Sequence, residues 1–193
     1  MRKFKNSKKK FIYLISPNII NNLDFFKQLE EVFKTKKIYF FQLRLKKTPK
    51  SKILNIGKKI KKICNKYNVK LIINDNPFLA KKINADGCHV GQKDIGIKRA
   101  RKVLPQKILG VTCHNSKKLI KKAIKNKVDY IAIGAFFSSK TKKTKFKADI
   151  ELLKYAKKIT KIPIITIGGI NLKNYKKLLL NKSNFLAISG YVW

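Results

Sequence analysis

A chain of 193 residues with 44% hydrophobic content can bury one substantial core, and no Pro-, Gly- or Ser-rich linker divides it. Its 48 Lys and Arg stand against 9 Asp and Glu, a net charge of +39. No apolar stretch approaches the roughly 18 residues of a membrane span, and the lysine-rich start lacks a following apolar region with a cleavage site, so a cytoplasmic protein without a membrane partner is expected.

Residues 1–10 read as a basic N-terminal arm and residues 11–193 as a single domain. Phe11-Ile-Tyr-Leu-Ile-Ser16 has the β-branched and aromatic content of a strand, and Asn22 to about Lys36 sets Leu23, Phe26, Leu29, Val32 and Phe33 at helical spacing. Strands are then predicted over residues 38–46, 70–75, 87–91, 108–114, 130–137, 163–168 and 185–189. Helices are predicted between them, near residues 53–67, 77–84, 96–103, 116–126, 149–160 and 172–181. Near-continuous apolar strands such as Tyr130-Ile-Ala-Ile-Gly134 are buried on both faces, which calls for a parallel α/β sheet covered by helices. Eight strand-helix beats, the last without its helix, predict a (β/α)8 TIM barrel, although the chain is shorter than the usual length of about 250 residues. A doubly wound open sheet is the alternative and would normally need fewer strands.

The lysines fill helix faces opposite the apolar stripes, as in Gly57-Lys-Lys-Ile-Lys-Lys-Ile-Cys-Asn-Lys66. That is the pattern of a solvated surface under compositional bias, and the same charge can funnel phosphorylated metabolites or nucleic acid. No zinc-finger spacing, aromatic RNA-binding signature or isolated basic recognition helix marks a specific nucleic-acid partner. Cys64, Cys88 and Cys113 are too few and too scattered for a disulfide framework or a zinc site, and read as buried small apolar residues in a reducing compartment.

In a parallel barrel chemistry gathers where strands end, so the acids can be sorted. Asp24, Glu30 and Glu31 fall on the first helix, Asp149 and Glu151 open the sixth as cap and dipole partners, and Asp86 and Asp129 precede strands. Asp75, closing Lys70-Leu-Ile-Ile-Asn-Asp75, and Asp94, in His89-Val-Gly-Gln-Lys-Asp94, remain at the catalytic rim. With Asn74 they supply hard oxygen ligands suited to Mg²⁺ completed by phosphate oxygens and water, which points to a phosphorylated small-molecule substrate.

The alternation of Gln42-Leu-Arg-Leu-Lys46 sends Gln42, Arg44 and Lys46 toward the mouth and Leu43 and Leu45 toward the helices. Unpaired, such inward polar groups would cost on the order of several kcal/mol, so they are expected to bind an anion or the acids themselves. The loop Ser138-Ser139-Lys140-Thr141-Lys142-Lys143 offers hydroxyl and ammonium groups to phosphates. Ile167-Gly-Gly-Ile170 permits close backbone approach, and with Ala187-Ile-Ser-Gly190 it occupies the usual phosphate site of barrels. His89 and His114 read as structural or orienting groups, since His114 and its neighbour Cys113 diverge along a strand and cannot form a nucleophile-base pair.

Gln42-Leu-Arg-Leu-Lys46, Ile73-Asn-Asp75, Asp86-Gly-Cys-His-Val-Gly-Gln-Lys-Asp94, Gly110-Val-Thr112, Thr141-Lys142 and Ile167-Gly-Gly-Ile170 occur in an order in which the chain resembles the thiamine-phosphate synthase (thiamine-phosphate pyrophosphorylase) family, with its TenI-type relatives, over about residues 11–192. The resemblance implies a TIM barrel joining hydroxymethylpyrimidine pyrophosphate to thiazole phosphate, with thiamine phosphate and pyrophosphate as products. It implies that Gln42, Arg44, Lys46, Asn74 and Lys142 hold the pyrimidine pyrophosphate, with Leu43 and Leu45 in the same binding segment and Lys140 beside Lys142. It implies Mg²⁺ on Asp75 and Asp94, and Thr112 where the family commonly has a Ser near the leaving group. Ser139 and Thr141, with Gly169, Ile188 and Ser189, would contact the thiazole phosphate. Arg44, Lys46, Thr112 and Lys142 are the expected catalytic set.

The implied mechanism is dissociative: the aminopyrimidine expels pyrophosphate to leave a stabilised cation, which the thiazole nitrogen captures. This asks for charge stabilisation and positioning rather than a strong base. The chain departs from the family at Ser138-Ser139-Lys140-Thr141-Lys142, where Pro-Thr-x-Thr-Lys is common, and at Thr112. It also stops at Trp193, where the family usually carries another helix; Tyr191 to Trp193, the basic arm or a second subunit of a homo-oligomer is expected to cover the wall between strands eight and one. Two other functions are a TenI-like thiazole tautomerase using an acid/base residue such as His114, which the paired acids disfavour, and a non-catalytic phosphate- or nucleic-acid-binding barrel.

Overall fold

The computed structural model describes residues 10–20, 24–138 and 145–193. Eight strands run β1 (Ile12–Ile15), β2 (Ile38–Leu43), β3 (Lys70–Asn74), β4 (Gly87–Val90), β5 (Ile108–His114), β6 (Tyr130–Gly134), β7 (Ile164–Ile167) and β8 (Phe185–Ile188). Between them lie α1 (Asp24–Lys34), α2 (Lys50–Lys66), α3 (Pro77–Ile83), α4 (Ile97–Val103), α5 (Lys117–Lys125), α6 (Ile150–Ile159) and α7 (Tyr175–Leu180). Each strand pairs in parallel with the next and β8 closes on β1, so the predicted (β/α)8 barrel forms and the open sheet does not.

Strand alternation splits the core into two layers. Tyr13, Phe40, Ile72, Tyr130, Ile165 and Phe185 fill the barrel, whereas Leu14, Phe41, Leu71, Ile73 and Leu109 turn outward against the helices. Each large apolar side chain so buried contributes roughly 1.5–3 kcal/mol. All three cysteines are buried free thiols in the outer layer.

The end of the barrel opposite the mouth uses one device three times. Asp86, before β4, accepts hydrogen bonds from Leu71 N of β3 at 2.9 Å and from Lys61 of α2 at 2.6 Å. Asp129, before β6, accepts from Leu109 N of β5 at 2.9 Å and from Arg101 of α4 at 2.6 Å. Asn184, before β8, accepts from Ile164 N of β7 at 2.8 Å and from Lys157 of α6 at 2.6 Å. Each satisfies a strand's leading N–H and ties the helix cation to it, which keeps Asp86 and Asp129 away from the rim.

Two strands end earlier than the alternation predicted. β2 stops at Leu43, so Arg44 and Lys46 lie on the loop beyond it and not on the strand face with Gln42. The ladder breaks there because Arg44 N donates to Ser16 Oγ at 2.9 Å, and Lys47 takes a positive φ of 56°. β6 stops at Gly134 rather than at Phe137, because Ala135 N turns to Phe146 O and Phe136 N to Ile167 O.

Trp193 packs on Phe25 with ring centroids 5.2 Å apart, and its Nε1 donates to Ile15 O at 2.6 Å. The last residue thus covers the junction of β1 and α1, while Tyr191 and Val192 stay exposed. Among the described residues no helix is long and apolar enough to cross a membrane.

Candidate active site

The C-terminal ends of β2, β3 and β4 bring Asp75, Asp94 and Lys46 together, while Arg44 turns to the loop after β1. After β3 the chain turns sharply at Asp75, whose φ is 63°, a left-handed conformation that Asp tolerates better than most residues. Its N–H donates to His89 O at 2.7 Å, while Asn76 caps α3 by accepting from Leu79 N at 3.0 Å. Past β4, Gly91 N donates to Asp94 Oδ2 at 2.7 Å, folding the loop back. A Cβ on Gly91 would sit 2.9 Å from that oxygen and press the Asp94 carboxyl out of this position.

The carboxyls of Asp75 and Asp94 come within hydrogen-bonding reach. Burial, followed by the facing Asp75 carboxyl, raises the Asp94 pKa above the ordinary aspartate value; Gly91 N–H and Lys46 pull it the other way. Although Asp94 as a residue is exposed, its carboxyl is turned against Asp75. Two like charges so placed call for a cation. Two carboxylates are hard oxygen donors of the kind Mg²⁺ takes alongside substrate oxygens and water; among the described residues no cluster of three or more His, Cys, Asp or Glu is present.

Lys46 Nζ lies 3.0 Å from Asp75 Oδ2, a half-exposed pair worth no more than about 1 kcal/mol. The Arg44 guanidinium donates to Asn18 Oδ1 at 2.7 Å. Gln42, buried at the top of β2, donates to Asn74 Oδ1 at 2.8 Å. Leu43 is buried in the outer core and Leu45 packs partly buried against it.

Thr112 is linked to a chain of hydrogen bonds that runs down the barrel interior. His89 Nε2 pairs with Thr112 Oγ1 at 2.8 Å and His89 Nδ1 with Tyr130 Oη at 3.0 Å, and Tyr130 Oη meets Tyr13 Oη at 2.9 Å. Burial lowers the His89 pKa to about 4, which makes the ring neutral at pH 7. His89 is thus a neutral ring held between Thr112 and Tyr130. Gln92 also donates to Thr112 O. His114, at φ 51°, stacks on Phe146 with centroids 4.1 Å apart.

On the other arc, Gly168 and Gly169 have φ of 106° and 59°. A Cβ on Gly169 would meet Ser138 O at 2.1 Å, so the loops after β6 and β7 can approach only through glycine. Ser189 follows β8, next to β1 in the barrel, and Ile188 packs in the outer layer. Ser139, Lys140, Thr141 and Lys142 lie outside the described residues. Asn18, Gln92 and Tyr130 carry no assigned role in the sequence reading; the signals were the position of Asn18 and Tyr130 just past or opening a strand, and the place of Gln92 within Asp86-Gly-Cys-His-Val-Gly-Gln-Lys-Asp94.

Fold and rim together define a (β/α)8 barrel whose mouth can receive an anionic ligand between paired acids and strand-end cations. Residues 12–192 match the family profile for thiamine monophosphate synthase. The chain is 63% identical over 185 residues to the thiamine-phosphate synthase of Pelagibacter ubique (strain HTCC1062), covering 96% of this chain and 89% of that one. To the thiamine-phosphate synthase of Rhodospirillum centenum (strain ATCC 51521 / SW) it is 36% identical over 183 residues, covering 94% and 88%. Among solved structures, a thiamine phosphate pyrophosphorylase from Pyrococcus furiosus shares the fold with a TM-score of 0.84 at 24% identity, covering 97% of this chain and 88% of that one. The chain belongs to the thiamine monophosphate synthase family.

Proposed function

We propose that this chain is a transferase of thiamine biosynthesis that joins hydroxymethylpyrimidine pyrophosphate to thiazole phosphate, giving thiamine phosphate and pyrophosphate. Family membership supports the reaction. The observation that carries the site assignment is the convergence of Asp75 and Asp94 beside Lys46.

In this reading Arg44, Lys46 and Lys142 receive the diphosphate, and Gln42 and Asn74 hold the pyrimidine side of the same substrate. Asp75 and Asp94 hold Mg²⁺, which when bound supplies neutralisation of diphosphate charge. The carbon-oxygen bond between the pyrimidine methylene and the diphosphate breaks, and its electron pair leaves with the diphosphate. The thiazole nitrogen then gives its lone pair to the same carbon. His89, neutral at pH 7, orients Thr112 without setting a second positive charge beside the carbon that becomes cationic. Ser139 and Thr141, with the backbone at Gly169, Ile188 and Ser189, take the thiazole phosphate, and Lys140 serves beside Lys142. The buried free thiols suit a cytoplasmic enzyme.

Incubation of the purified protein with both phosphorylated precursors and Mg²⁺ should yield thiamine phosphate and pyrophosphate, and EDTA should abolish the yield. Absence of either product under these conditions refutes the reading.

A further inference from the structure

Beyond the groups assigned to substrate, one turn governs how Arg44 is presented. After β1 the chain passes through Ser16-Pro17-Asn18 and grips Arg44 at both ends. Ser16 Oγ accepts from Arg44 N at 2.9 Å, its own hydrogen being donated to Pro17 O at 2.9 Å. Asn18 Oδ1 accepts from the guanidinium Nη1 at 2.7 Å. Ile15 of β1 is registered with Gln42 of β2, which sets this turn directly beside the segment that carries Arg44.

The partner is a neutral amide, and that distinguishes this arginine. Arg101 is ion-paired with Asp129 and Lys46 with Asp75, but among the described residues no carboxylate is ion-paired with Arg44. An amide oxygen orients a guanidinium through one hydrogen bond and leaves its charge uncancelled. In a chain of net charge +39, positive charge is abundant; a fork already aimed is not, because a free arginine must be ordered when its anion arrives.

We propose that Asn18 is a positioning residue that holds Arg44 aimed and fully charged for the diphosphate-bearing substrate, and that its neutrality is the property that matters. This rests on the assignment of Arg44 to the diphosphate.

The test uses the full chain with Asn18→Ala, Asn18→Asp and each combined with Arg44→Gln, titrating inorganic pyrophosphate with Mg²⁺ by calorimetry and measuring steady-state kinetics with both precursors. Asn18→Ala should weaken pyrophosphate about threefold to tenfold, and Asn18→Asp, whose carboxylate captures the guanidinium, by more than about tenfold. KM for the pyrimidine substrate should rise in parallel, while KM for thiazole phosphate and the melting temperature stay as in the wild type. The alanine effect should vanish in the Arg44→Gln background. Wild-type affinity in Asn18→Ala, equal affinity of the Asp and Asn forms, or an alanine effect undiminished without Arg44 would overturn the proposal. If the wild type neither binds pyrophosphate nor turns over, the substrate assignment itself falls and takes this inference with it; normal wild-type behaviour with silent Asn18 variants refutes this inference alone.

Discussion

Replacing Asp94 by Asn should stabilise the metal-free protein while removing its activity. The amide keeps an oxygen for Gly91 N, so the 2.7 Å hydrogen bond that closes the loop survives. What disappears is the charge facing Asp75. Because this rim pair is screened by solvent, relief amounts to less than about 1 kcal/mol, or a rise in melting temperature of up to about 3 °C for a domain of this size. Since the folded state raises the Asp94 pKa, it binds that proton more tightly than the unfolded chain does. Wild-type stability is therefore lost as pH rises through the raised value and recovered as it falls toward the ordinary aspartate pKa of about 3.9, where the advantage of the amide variant over the wild type should vanish. With Mg²⁺ and pyrophosphate added the order should reverse: a ligand at a hundredfold its Kd stabilises the wild type by about 2.7 kcal/mol, and the variant, short of one carboxylate, gains little. Turnover should fall at least about 100-fold. Thermal melts at pH 4 and pH 7.5, with and without Mg²⁺ and pyrophosphate, together with the coupled turnover assay, measure all of this. A variant that melts below the wild type at pH 7.5 without metal, or that turns over like it, refutes the reasoning.

Two further substitutions test the scaffold. Gly110→Ala would place a Cβ 1.9 Å from Tyr130 Cζ, and the ring cannot withdraw because it is fully buried and bonded to Tyr13 and His89. Overpacking there should cost about 3 kcal/mol, read as a lower urea midpoint, and an unchanged midpoint would mean that the interior hydrogen-bond chain is loose. Asp129→Ala strips both Leu109 N and Arg101 of their acceptor at the far end of the barrel and should cost roughly 2–4 kcal/mol with kcat unchanged at low temperature. Asp129→Asn should cost less than half of that, because Asn184 already serves β7 as an amide; equal losses in the two variants would show that charge rather than hydrogen bonding holds this end.

The barrel was legible because each strand between Phe11 and Ser189 is an apolar run flanked by a helix with one apolar stripe. Strand ends were less legible. Gln42-Leu-Arg-Leu-Lys46 keeps alternating after the ladder has stopped, since alternation reports a side-chain pattern and not whether a neighbouring strand still offers a carbonyl. The paired acids were visible for a different reason: with 9 acids in the chain, elimination could assign the others to caps, helix faces and strand starts. Asn18 and Gln92 escaped, because amides are frequent in this composition and their partners, Arg44 and Thr112, sit on other strand ends whose proximity depends on closure of the barrel.

The two ends of the barrel use their acids in opposite ways, and that contrast explains why only one end is suited to chemistry. At the closed end Asp86 and Asp129 each accept a strand N–H and a helix cation in a largely buried setting, so neither has charge left to offer. At the mouth Asp75 pairs with a half-exposed lysine, and Asp94 faces Asp75. Arg44, on the loop after β2, is held by an amide. Charges satisfied at one end stabilise the fold, whereas charges left incompletely satisfied at the other are the ones the proposed metal and diphosphate would engage.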